Sequence, residues 1–230
     1  SVVWVIMVHT YLTVFYVSEN KTMRIVTERN FLYQSVGNAS YCVDTFFFIS
    51  QQSFCEDLIE DRRPGGYSRK EVFGMTKSFL VLFMYRVVRL TPAYAFVIGV
   101  NELALRFTHY NSVFESAVAD HVTCDLYWWR NLLYINNLFT QFEMCMVWSW
   151  YMANDTQFYV VGIILYPKVA ISLLGLVLAS SWVTTIYISV SHNYKARIQE
   201  PFEMFDPLYD KPWSRIGPYL VGKIARTTNL

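Results

Sequence analysis

Charge is what this chain has least of: Asp, Glu, Lys and Arg supply 16% of its 230 residues, where a soluble domain carries about a quarter. It also lacks internal repeats, low-complexity tracts and any Gly/Ser linker, so nothing divides it into separate units. No P-loop, GxGxxG fingerprint, HExxH motif or zinc-ligand spacing occurs, and no metal ligand set is expected. Its basic residues are not interleaved with base-stacking aromatics, which argues against nucleic acid as a partner. A net charge of +1 adds no bulk field.

What the chain has instead is apolar length. Hydrophobic residues make up 54% and aromatics 18%. A membrane-crossing helix needs about 20 mostly apolar residues, because each advances about 1.5 Å across a hydrocarbon layer roughly 30 Å thick. Val169–Val190 carries no charge and is the cleanest such run. Ser1–Val17, with His9 as its only ionisable side chain, Ala39–Phe54, Thr91–Phe107 and Met152–Pro167 approach it, and a sixth begins at Trp213–Ile224. The expected fold is all-α: a polytopic transmembrane helix bundle contributing about five to six spans of a larger one. Residues 1–230 read as one partial membrane domain, with both ends expected to be truncations. No charged stretch or cleavage site precedes the first apolar run, so it does not read as a signal peptide.

Basic residues gather in short cytoplasmic loops. Glu56–Leu90 holds Arg62, Arg63, Arg69, Lys70, Lys77, Arg86 and Arg89, whereas Thr108–Val147 holds Arg130 against four acidic residues. The first is therefore expected inside and the second outside, with Glu19–Asn38 and Ser191–Pro212 also outside and Lys168 in an inside turn. An oxidising outer compartment permits a Cys124–Cys145 disulfide, free thiols being the alternative. Asn20-Lys21-Thr22 is a glycosylation sequon in another outer loop. Trp128, Trp129, Trp148 and Trp150, with Tyr127, Tyr134 and Tyr151, crowd the outer segment as an interfacial belt would. Cys42 and Cys55 read as packing residues.

Ionisable groups inside apolar runs single out His9, Asp44, Glu102 and Asp155, because each is costly in lipid unless it faces protein or a wet cavity. His9, with Thr13 on the same face one turn on, is a candidate general base, since imidazole titrates near neutrality. A helix-packing histidine bonded to nearby backbone is the alternative. Asp155, flanked a turn away by Tyr151 and Tyr159, orients such a base, binds polar substrate, or belongs to a structural hydrogen-bond cluster. Arg86 and Arg89, spaced i, i+3, suit bidentate phosphate binding, against plain anchoring on the inner side. Pro92 is expected as the first-turn residue that starts the third span.

Around these residues the chain resembles a known family. Arg86, Arg89 and Pro92 fall in a string similar to the R-x-x-R-x-x-P element of the acyltransferase-3 family of integral membrane O-acyltransferases. Val43–Ser50 resembles that family's second span, and Val5–Tyr11 the end of its first helix, which carries the histidine regarded as catalytic. Trp150–Tyr159 resembles its tryptophan-and-acid element, with Asp155 where the family usually has Glu. Tyr127–Asn137, Trp148–Asp155 and Lys211–Tyr219 are more similar to the nose-resistant-to-fluoxetine-like animal branch. After Ser50 the chain departs from the pattern: Gln51–Asp57 replaces the expected glycine and apolar continuation.

The resemblance implies a bundle of about ten spans and transfer of an acyl group from a cytoplasmic donor of the acyl-CoA kind to a hydroxyl on a lipid, sterol or glycan. It implies His9 as the base, Asp155 as its support and Arg86 and Arg89 as the donor-phosphate site. No resident cofactor is expected, only acyl-CoA as cosubstrate, with membrane lipids as partners. The expected location is the plasma membrane or endoplasmic reticulum. The competing function is non-catalytic binding or transport of lipids or hydrophobic drugs through the same bundle.

Overall fold

The computed structural model describes residues 2–17, 42–50, 72–113, 120–164, 171–194 and 204–227, with a few positions between 22 and 33. Among these residues every regular element is helical. In chain order they are α1 (Val2–Val17), α2 (42–50), α3 (Val72–Asn111), α4 (Asp120–Leu132), α5 (Trp150–Ile164), α6 (Ile171–Ser191) and α7 (Pro212–Thr227). Short 3-10 turns join α4 to α5, and a π-helical turn, Phe205–Tyr209, leads into α7.

Two stretches are long and apolar enough to cross a membrane, Phe79–Asn111 within α3 and Ser172–Ser191 within α6; Val2–Tyr11 is a shorter apolar one. Several of their serine and threonine hydroxyls bond to carbonyls of the preceding turn, which makes them tolerable in apolar surroundings. Thr10 Oγ1 donates to the Ile6 carbonyl at 2.9 Å, Thr13 Oγ1 to that of His9 at 2.9 Å, and Thr184 Oγ1 to that of Ser180 at 2.8 Å. The expected span within Met152–Pro167 is instead the 15-residue α5, short and packed on several sides by protein. The run at Trp213–Ile224 is amphipathic and buries Lys223. Much of Ala39–Phe54, the sequon at Asn20 and Cys55 lie outside the described residues.

The reading of Glu56–Leu90 as a loop is corrected over residues 72–90, the rest lying outside the described residues, and so is that of Pro92 as a helix start. α3 is continuous for 40 residues, about 60 Å at 1.5 Å per residue, and Pro92 sits in its interior. The apolar residues Phe79–Tyr85 before the arginines carry the helix through. Tyr134 then holds α3 beside the proline: its hydroxyl lies 3.1 Å from Thr91 Oγ1, and its ring stacks on Tyr94 at 5.7 Å.

Residues 120–149 form a cap. α4 packs back on the C-terminal half of α3, and Cys124 is disulfide-bonded to Cys145. Tyr134 (φ 57°) and Met146 (φ 62°) adopt left-handed backbone, which costs about 1–3 kcal/mol each in a non-glycine residue. Both are buried with the disulfide, Tyr94, Ile98 and Ala153 in one core cluster. The aromatic belt divides accordingly: Trp128, Trp129 and Trp148 are exposed, whereas Tyr134 and Trp150 belong to the interior. A second cluster, Phe47, Trp150, Phe158, Phe205 and Tyr219, joins α2, α5 and α7.

Candidate functional site

α5 is the element on which the site is built. It runs antiparallel to the N-terminal half of α3, since Tyr159 Oη donates to the Leu82 carbonyl at 3.4 Å and Asp155, one turn earlier, meets Arg86. Its polar run Asn154–Gln157 therefore enters the centre of the bundle. From α2, the residues Asp44, Phe47 and Ser50 share one face, and Phe47 is fully buried between Tyr151 (stacked, 4.8 Å) and Phe158 (edge-on, 5.1 Å).

Three helices meet at Asp155. Its Oδ2 pairs with the Arg86 guanidinium, and its Oδ1 accepts a hydrogen bond of 2.6 Å from the Ser50 hydroxyl. Arg86 also lies over the Tyr159 ring, 4.3 Å from its centre. Both charged side chains are largely withdrawn from solvent, 18% and 12% exposed. A charge so placed is stable only when paired and hydrogen-bonded. Both oxygens of Asp155 are occupied, so the carboxylate acts here as the counter-charge of Arg86 rather than as a free base.

Of the four predicted site residues, the structure brings Asp155 and Arg86 together. Arg89, one turn further along α3, is exposed. Three residues of helix give a net turn of about 60°, which leaves Arg89 on the neighbouring strip of the helix, beside rather than in the α5 contact that Arg86 makes. His9 lies on α1, also exposed, and Thr13 bonds its carbonyl rather than its imidazole. The partners of Asp155 are Ser50 and Arg86, not His9. Glu102 is paired along its own helix with Arg106, which also reaches Asp125. Asp44 pairs with Arg215 of α7 at 3.1 Å, and Arg215 also donates to the Tyr209 carbonyl at 2.9 Å.

A carboxamide network above Asp155 was not anticipated from the sequence. Asn131, Asn136, Asn137 and Asn154 are fully buried. Asn131 Nδ2 and Asn136 Nδ2 each donate to Ser149 Oγ at 2.9 Å, and Asn137 Nδ2 donates to Asn154 Oδ1 at 2.6 Å. Gln157 Nε2 donates to the Tyr134 carbonyl at 2.9 Å, fixing the left-handed turn. Lys211 Nζ donates to the carbonyls of Asn137 (2.8 Å) and Phe139 (3.0 Å) and to Asp210 Oδ2 (3.1 Å). The available signal was compositional: paired asparagines and Asp-Lys beside aromatics in a chain short of polar residues. Among the described residues no three His, Cys, Asp or Glu side chains gather as a metal site requires.

No family model matches this chain, and no solved structure matches it. It is 28% identical over 257 aligned positions to nose resistant to fluoxetine protein 6 of Caenorhabditis elegans, an alignment covering 98% of this chain. The chain spans 30% of that relative's length.

Proposed function

We propose that this chain is part of a multi-pass membrane O-acyltransferase, which moves an acyl group from a cytoplasmic acyl-CoA-type donor to a hydroxyl of a lipid, sterol or glycan. The observation that carries the reading is the Arg86–Asp155–Ser50 cluster. A charged pair held among apolar helices is expensive and is commonly retained for function. Similarity along nearly its whole length to a nose-resistant-to-fluoxetine protein supports the same assignment.

In this scheme Arg89 takes the donor's phosphates from the inner side. Arg86, one turn before it on α3, completes the phosphate site if the donor displaces Asp155 from it. His9 removes the proton from the acceptor hydroxyl. The hydroxyl oxygen bonds to the thioester carbonyl carbon, the carbon–sulfur bond breaks, and the thiolate takes the proton back from the imidazolium. The reaction requires α1 to approach α3 in the whole protein. The multi-pass location is the plasma membrane or the endoplasmic reticulum.

The engagement of Asp155 by Ser50 and Arg86 rather than by His9 favours one other reading: a protein that binds or carries lipids or hydrophobic drugs without catalysis. Replacing His9→Ala in the full-length protein, with lipids profiled by mass spectrometry, separates the two. Loss of the acylated product at normal expression supports transfer. Undiminished product, or unchanged drug uptake with no product in either form, ends it. Cysteine labels near Arg69 should resist impermeant reagent outside intact cells while labels near Asp120 react, and reversal removes the donor-side role of Arg89.

A further inference from the structure

We propose that Asp210 is a proton-operated latch joining the cap, α5 and α7, closed in acid and loosened at neutral pH. Asp210 is fully buried, and only one of its carboxyl oxygens is paired, to Lys211 Nζ at 3.1 Å; Oδ1 has no partner. Its backbone carbonyl accepts from Asn154 Nδ2 at 2.8 Å, the residue next to Asp155. Lys211 in turn holds the Asn137 and Phe139 carbonyls of the cap. One carboxyl group thus sits where three elements are tied.

The groups around it explain why it titrates. α5 presents the neutral carboxamide of Asn154, and the cap presents carbonyls already committed to Lys211. Arg215, in the first turn of α7, is turned to Asp44 and to the Tyr209 ring, 4.2 Å from its centre. The neighbouring Tyr209 phenol is itself pushed up by burial and stays neutral. That leaves Lys211 and Asp206 as the charges acting on Asp210, and Asp206 is held in place by the Gln141 amide at 2.6 Å. Burial pushes the Asp210 carboxyl up from 3.8 to about 7; Lys211 opposes the rise and Asp206 adds to it.

The sign of the linkage follows. A carboxyl that titrates higher in the closed form binds a proton there that the opened form releases. Closure is therefore strongest below 3.8, weakens as pH rises toward about 7, and is level above that. Nothing in this depends on acyl transfer.

The test is hydrogen exchange of residues 136–149 in the full-length protein in lipid nanodiscs, from pH 5 to 8, corrected for the intrinsic pH dependence of amide exchange. The opening that exposes Asp210 should grow by roughly tenfold per pH unit up to the midpoint and then level off. Asp210→Asn should stay protected and flat. A flat wild-type profile, or an Asp210→Asn profile that keeps the slope, overturns the latch. Should Asp210→Asn fail to fold, Asp206→Asn decides: the levelling point moves to lower pH if the latch is real and stays put if it is not.

Discussion

α1 and α5 are nearly the same length, 16 and 15 residues, and both are apolar overall, yet their fates differ. α1 carries one ionisable group, His9, and its described side chains are largely exposed. α5 carries Asn154, Asp155, Thr156 and Gln157 in succession and is the most thoroughly buried helix among the described residues. In lipid-like surroundings apolar surface does not distinguish a neighbouring helix from solvent, so polar contacts and close packing select the partner. α5 is held because it has something specific to hold.

The comparison breaks most sharply at Asp155. Asp155→Ala leaves Arg86 uncompensated among apolar helices and should cost about 3–5 kcal/mol, seen as a collapse of the thermal transition in detergent. Combining it with Arg86→Met should recover most of that loss, because the cost lies in the orphaned charge. Next is the cap: Cys124→Ser removes a cross-link closing 21 residues and should cost about 3 kcal/mol, read by the same transition with and without reductant.

A smaller effect is expected at Gly162, where a Cβ would meet the Tyr219 hydroxyl and Lys223 Nζ donates to the carbonyl at 2.9 Å. Gly162→Ala should cost about 1–3 kcal/mol by forcing α5 and α7 apart. His9→Leu on exposed α1 should change thermal stability by less than about 0.5 kcal/mol. A loss comparable to that of Asp155→Ala would mean that α1 is anchored as firmly as α5, and the contrast would fall.

Several features are legible in the chain alone. The apolar runs at Ser1–Val17 and Val169–Val190 hold the helices α1 and α6, and Cys124 and Cys145 are bonded. Asp155 stands out because charge is scarce around it, and Arg86 because of its i, i+3 spacing with Arg89. Their pairing does not stand out, since they lie 69 positions apart. Ser50 and Arg215 escape notice for the same reason: a lone serine at a helix end and an arginine among aromatics look ordinary until α2 is docked against α5 and α7. Pro92 misleads because a proline at a first turn and one inside a long helix leave the same local trace, and the tertiary contact at Tyr134 distinguishes them.

By itself the sequence determined helicity, apolar character and the scarcity of polar groups, because these follow from side-chain chemistry and short-range spacing. Only the tertiary structure decided which polar groups meet, which arginine is turned inward and that Asp155 is held by Ser50 and Arg86. Those outcomes depend on burying charge without leaving it unpaired, a condition met between residues far apart in the chain.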